Sequence, residues 1–172
     1  AVGFDLDTRL LDEAVRELKG EKVEQQLEPD IKIAVTAYIP DDYIPDGDLK
    51  MEFYQRLADA QRVVDLLAIK EEMEDRFGRA PWQAKALLHI MEIKVMARQL
   101  GLASVRLEKS RFSLQFPESV QVSPADIQRL VEKSSSQLEF NVGACLSIET
   151  FLRASDEQER LEKARDLVEE LL

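Results

Sequence analysis

Cysteine and histidine are nearly missing from this chain: its 172 residues hold one of each, Cys145 and His89. A single cysteine excludes an internal disulfide and any site built from several thiolates. Its setting, Val-Gly-Ala-Cys-Leu-Ser-Ile, predicts a small buried side chain. No histidine or cation cluster surrounds it to make it reactive. His89 lies between Leu88 and Ile90 with no nucleophile motif nearby, so Ser-His-Asp catalysis is not expected and a packed or edge-facing helical histidine is. Glycine patterns that cradle phosphates are absent, which argues against ATP binding in this chain. No apolar run reaches the ~18 residues needed to span a membrane. Residues 1–20 lack a signal peptide's basic start and apolar stretch. A reducing cytoplasm is consistent with these features. Basic residues are the minority, 23 against 34 acidic, for a net charge of −11. That balance opposes binding to a phosphate backbone and suits either solubility or a basic protein partner.

What is present is globular composition, 45% hydrophobic and 33% charged, enough for a substantial core. Leu6, Leu10, Leu11, Ala14 and Leu18 have helical spacing, and Gly20 follows as a stop. Ile31, Ile33, Val35 and Ala37 alternate as a half-buried strand. Leu49, Phe53, Leu57 and Ala60 form one helical face, and a second helix is expected from Val63 to Phe77. Pro81 opens the longest helix, which Gly101 ends. That helix is apolar over so much of its circumference that it should be central to the core. Beyond it, alternating runs at 103–107 and 112–116 flank Lys109-Ser110 as a hairpin. A short helix begins at the Ser123 cap and Pro124, and a second strand pair flanks Gly143. A helix from about Asp156 closes the chain. The fold class expected is α+β, a helix-rich first half packed with a small, mostly antiparallel sheet from the second half. We read 1–172 as a single domain with a possible subdivision near residue 101. The start at Ala1, without Met, reads as a piece of a longer protein.

Three groups of residues call for chemical tests. Asp42, Asp46 and Gly47 superficially match positions of a calcium loop, but Ile44 and Phe53 fall where ligands are needed. A solvated turn, with Asp46 or Asp48 capping the next helix, is the better reading. Tyr54 and Trp82 read as core or core-edge aromatics, since basic residues do not interleave with them. The segment Glu-Met-Glu-Asp-Arg-Phe-Gly, residues 72–78, closes a helix with acid on its outward face. With Met73 and Phe77 inward, Glu71, Glu72 and Asp75 point away from the core. Carboxylates in a last turn oppose the helix dipole by ~0.3–1 kcal/mol. Gly78 supplies the turn, Arg76 favours the dipole and Phe77 anchors the helix end. On physics alone an ordinary charged face suffices, with Glu72–Arg76 a weak i, i+4 pair and neither Glu72 nor Asp75 strongly perturbed. Acid kept against local preference also fits a contact surface.

"YIPDGDLKMEFYQRLADA" (43–60), "EEMEDRFGRAP" (71–81) and "VGFDLDTRLLDEAVRELKG" (2–20) together resemble the C-terminal domain of the bacterial transcription-repair coupling factors, the Mfd family. The likeness covers roughly residues 2–105. One departure is Asp7, where the family usually carries an aromatic. The resemblance implies a non-catalytic regulatory domain of an ATP-driven DNA translocase. Such a translocase displaces stalled RNA polymerase and recruits UvrA for excision repair. ATP and Mg²⁺, double-stranded DNA and polymerase then belong to other domains of the parent, and this chain needs no cofactor and no metal. The domain is expected to dock on a UvrB-like N-terminal module, mask the UvrA-binding surface and restrain the motor. Glu72, Asp75 and the neighbouring Glu71 would make that contact, with Arg76, Phe77, Gly78 and Tyr54 as structural motif. Two alternatives are an acidic adaptor acting in trans on a basic partner and a metal-assisted hydrolase using the Asp41–Asp48 loop.

Overall fold

A computed structural model describes residues 28–172; the helix expected over Leu6–Leu18, its Gly20 stop and the departure at Asp7 lie outside them. Strand β1 (Asp30–Ile33) leads through an ordered loop to helices α1 (Gly47–Asp59), α2 (Val63–Phe77) and α3 (Trp82–Leu100). Then come β2 (Ser104–Glu108), β3 (Arg111–Gln115), α4 (Pro124–Lys133), β4 (Glu139–Val142), β5 (Leu146–Phe151) and α5 (Glu157–Leu171). The sheet order is β1-β2-β3-β5-β4. Only the β1–β2 pair among these is parallel, and the three helices α1–α3 form its crossover. The fold is α+β with a mostly antiparallel sheet.

The register builds the core. Ile31, Val105, Leu114, Ile148 and Phe140 align in one inward row across all five strands. Leu107 and Phe112 form a second. Onto this face pack α3, through Ala86, Ile93, Met96 and Ala97, and α5, through Leu161, Ala164, Leu167, Val168 and Leu171. The opposite side of α3 presents Ala84, Leu87, Leu88 and Val95 to a second cluster. That cluster holds Phe53 and Leu57 of α1, Leu66, Ile69 and Met73 of α2, and Ile39 and Ile44 of the loop. An apolar circumference on α3 is therefore matched by apolar neighbours on both sides.

Helix ends follow local chemistry. The Asp46 carboxylate accepts from the Leu49 amide at 3.1 Å, and Asp48 sits in the first turn of α1. Ser123 and Asp126 form a reciprocal box on α4. Asp156 accepts from the Glu159 amide at 2.8 Å, while Glu159 accepts from the Ser155 amide and hydroxyl. Those bonds bring the Glu159 carboxyl down to about 2. Gly101 adopts the left-handed conformation, φ 75°, and the amide of Leu102 reaches back to Ala97 at 2.9 Å. Pro81 stands at the capping position itself, one residue before α3 begins.

Two expectations change. The alternating run from Ile31 pairs as a strand only to Ile33, with one further bond from the Ala34 amide to the Leu107 carbonyl at 3.1 Å, because β2 gives way to the turn at Lys109 where Val35 would need its partner. The chain turns towards α3 instead, where the Tyr38 amide donates to the Gln83 carbonyl at 3.2 Å. Cys145 is not buried; it sits half-exposed in the turn between β4 and β5, with Gln115 Nε2 2.8 Å from its sulfur. Of its apolar neighbours, Ala144 shares the turn and is exposed, Val142 is 75% exposed at the end of β4, and only Leu146 is buried.

One charge is taken into the α3–α5 seam. Glu92 is 6% exposed and accepts from Arg165 Nε, while Arg165 also reaches Glu169 at 2.5 Å. His89 Nδ1 lies 3.9 Å from the same carboxylate. Burial by itself pushes the Glu92 carboxyl up; His89 and Arg165 more than reverse it, so it titrates below the ordinary glutamate range. Removing one partner leaves the other charge uncompensated, whereas replacing both by apolar groups does not. Arg165→Met, which strips the buried Glu92 carboxylate of its guanidinium and leaves only His89 beside it, is expected to lower unfolding free energy by about 3 kcal/mol, the low end for a broken buried pair. Glu92→Met/Arg165→Met is expected within about 1 kcal/mol of wild type in urea denaturation. A carboxyl with a lowered folded pKa stabilises above its unfolded value, near 4.5, and that stabilisation is lost as pH falls through the folded value. The double variant should therefore lose less stability than wild type between pH 5 and the acid limit.

Gly78 generates a second prediction. Its φ of 85° with ψ −173° is a region essentially confined to glycine, although a Cβ there would meet nothing within 4 Å. Gly78→Ala should cost about 1–3 kcal/mol through backbone strain alone, read as a shifted urea midpoint with an unchanged slope.

Candidate functional site

Leu66, Ile69 and Met73 bury one side of α2 against α1 and α3. The side chains of residues 71–78 then divide between two tasks. Glu72 turns towards α1, where Arg56 donates to both its oxygens at 2.5 and 3.2 Å; Arg76 follows at 3.7 Å. The hydrogen bonds from Arg56, then the charges of Arg56 and Arg76, hold the Glu72 carboxyl below its ordinary value. This corrects the expectation that Glu72 stands unperturbed in solvent with Arg76 alone beside it. Glu74, given no role by sequence, accepts from the Ala80 amide at 3.1 Å and so fastens the turn after the helix.

The aromatic residues form the floor of this region. Phe77 meets Tyr43 and Phe53 edge to face, with centroids 5.9 and 6.0 Å apart. Arg56 lies over the Phe53 ring at 5.1 Å, and Arg76 over Phe53 and Phe77 at 5.7 and 5.3 Å. The Tyr43 hydroxyl donates to the Gly78 carbonyl at 2.7 Å. Burial, then the Glu74 charge, raises its pKa. Tyr54, from the next helix, accepts from the Ile39 amide at 2.7 Å and pins the preceding loop. Phe77 and Tyr54 thus both pack against the second cluster, while Arg76 and Gly78 stay exposed at the helix end.

Glu71 and Asp75 are left over. Both are exposed, one turn apart on the outward face of α2. Among the described residues neither has an ion-pair or side-chain hydrogen-bond partner. Asp75 lies in the last turn, where the dipole disfavours it. The site is therefore two unpaired carboxylates on a rigid helix, backed by a third, Glu72, that keeps 40% of its side chain exposed while tied to Arg56. Such a face can accept charge-assisted hydrogen bonds from Arg or Lys of another surface.

Arg56 and Tyr43 were missed by sequence reasoning. Arg56 sits 16 residues from Glu72 and Tyr43 35 from Gly78, separations at which periodicity carries no signal. The other residues considered above stand apart from this face. His89 packs near Trp82, with ring centroids 6.3 Å apart. In the Asp41–Asp48 loop, Asp41 pairs with Lys50 and Ile44 is fully buried. No group of His, Cys, Asp or Glu able to hold a metal ion occurs among the described residues. No described helix is long and apolar enough to cross a membrane.

Comparisons with known proteins converge on one family. The model of the TRCF domain matches residues 33–127, more than half of the chain. The transcription-repair-coupling factor of Bacillus subtilis is 35% identical over 133 residues, covering 77% of this chain and 11% of that protein. Those of Haemophilus influenzae and Escherichia coli are 32% and 30% identical, covering 98% and 99% of this chain and 15% of each protein. The chain thus spans only about a seventh or less of these relatives. A solved structure described as the crystal structure of the C-terminal domain of transcription-repair coupling factor superposes with a TM-score of 0.77. It covers 87% of this chain and 95% of its own, at 21% identity, and shares the fold. The chain belongs to the TRCF domain family of the transcription-repair-coupling factors.

Proposed function

We propose that this chain is a non-catalytic regulatory domain of a transcription-repair-coupling factor, docking through the outward face of α2. Its partner on this reading is a UvrB-like N-terminal module of the same polypeptide. Docking masks the UvrA-binding surface and restrains the parent's ATP-driven, DNA-translocating motor, which acts on stalled RNA polymerase. ATP and Mg²⁺ belong to that motor. The observation that carries the reading is the pair Glu71 and Asp75, unpartnered on a helix whose other charged residues are engaged within the domain. Glu72 joins them through its exposed edge, so all three carboxylates meet basic side chains of the module.

The energetics suit a latch that has to open. Hydrogen bonds to charged groups contribute ~1.5–3 kcal/mol each. Two of them give modest affinity between free pieces, yet hold well when a tether supplies an effective concentration near millimolar.

Replacing Glu71 and Asp75 by Ala in the full-length parent should raise its UvrA binding by about tenfold or more, the loss of one such bond being about a factor of ten. UvrA binding equal to wild type in a titration would remove these residues from the latch. The same measurements separate Glu72 from Asp75. Asp75→Ala, which relieves a dipole conflict, should raise the melting temperature of this chain by about 1–3 °C. Glu72→Ala should lower it, because Arg56 loses its partner between α1 and α2. If thermal scans show both variants melting alike, Glu72 has no separate structural role.

A further inference from the structure

The unpaired carboxylates are only half of the outward face of α2. At about 100° per residue, Val64, Leu67 and Ala68 fall on the same arc as Glu71 and Asp75. Val64 is 58% exposed and Leu67 45%, and Ala68 is exposed too. Scattered apolar residues on a surface are ordinary. Three on one arc, running directly into two carboxylates without partners, form a patch with a defined order: apolar at the N-terminal end, acidic at the C-terminal end. The cations nearest in sequence do not close it. Lys70 pairs with Glu74, Arg62 with Asp65, and Arg76 lies over the rings of Phe53 and Phe77.

We infer that the partner of this face presents an apolar patch beside one or two Arg or Lys, and that Val64 and Leu67 enter the contact together with Glu71 and Asp75. At a rise of ~1.5 Å per residue the basic groups that meet Glu71 and Asp75 lie about 6 and about 12 Å along the helix from the point that covers Leu67. Interfaces combine an apolar centre with charged margins in this way, the centre excluding water and the charges setting register. The two carboxylates carry the choice of partner: a face ending in uncompensated acid is complementary to a basic surface, not to another acidic one such as a second copy of this chain. The patch is too small for a stable complex between free proteins, which fits a partner elsewhere in the same polypeptide.

The inference rests on the docking function proposed above, and the test separates the two. Val64→Ser/Leu67→Ser and Glu71→Ala/Asp75→Ala are compared in the full-length parent. The apolar variant should melt like wild type in this chain, since both side chains are exposed, and should raise UvrA binding by the parent at least fivefold. Salt supplies a readout that a purely ionic latch would not give. In 1 M NaCl, where the screening length is ~3 Å, the wild-type parent should keep its small-angle scattering radius, and the apolar variant should expand. Opening by the acidic variant alone would overturn the inference and leave the docking reading standing. Opening by neither would sink both. Concentration-dependent self-association of this chain, abolished by the apolar variant, would assign the patch to a second copy and overturn the inference as well.

Discussion

Helix α3 is apolar on two opposite sides, and this one constraint organises the rest of the molecule. Ala86, Ile93, Met96 and Ala97 require a cover on one side, and Ala84, Leu87, Leu88 and Val95 require another. The sheet with α5 is the first cover and α1 with α2 is the second. Both are assembled around the same rod, so the direction in which α2 points its remaining face follows from how Leu66, Ile69 and Met73 seat against α3 and α1. The docking surface proposed on α2 would thereby inherit the order of the core without contributing to it.

Charge is distributed with the same economy. Four carboxylates lie within residues 71–75. Glu72 closes the α1–α2 seam through Arg56, and Glu74 ties the turn at Ala80. Local structure absorbs these two and leaves Glu71 and Asp75. Had all four been free, the acidity would be unremarkable for a chain of net charge −11. Selective pairing of two marks the other two as available. The corner of Tyr43, Phe53, Phe77 and Gly78 beneath them keeps the helix end from fraying, which matters because an ordered face loses less entropy on docking.

Features set by neighbouring residues were legible in the sequence, and features set by distant ones were not. The Asp46, Ser123 and Asp156 caps, the Gly101 stop and the ends of α2 at Val63 and Phe77 all depend on side chains within a turn of the position they control. The two strand pairs were equally local, each folding about a short turn. The end of β1 at Ile33 was not readable, because it is decided by where β2 runs out, more than 70 residues on. Cys145 was misread for a related reason: apolar neighbours mean burial along a strand but not in the turn beside it. In the candidate site, the outward direction of Glu71 and Asp75 followed from helical period, whereas the Glu72–Arg56 pair required the α1–α2 crossing. Glu92 is the sharpest case. Its wheel position is that of a core residue, and it takes His89 together with Arg165, 73 residues away, to make a carboxylate tolerable there.

The sign of the Asp75 conflict ties stability to function. In the free domain the Asp75 carboxylate, in the last turn of α2, is disfavoured by the dipole and has no ion-pair partner among the described residues. An Arg or Lys arriving from a partner removes that conflict and adds its own charge-assisted bond, so the contact gains from both changes. Glu72 gains less, since Arg56 already holds it and an arriving cation reaches only its exposed edge. The position least favourable to the isolated fold is therefore the one that responds most to docking. On the docking proposed above, a domain arranged like this is slightly less stable alone than against its partner, and that difference is the free energy by which docking and release would be coupled.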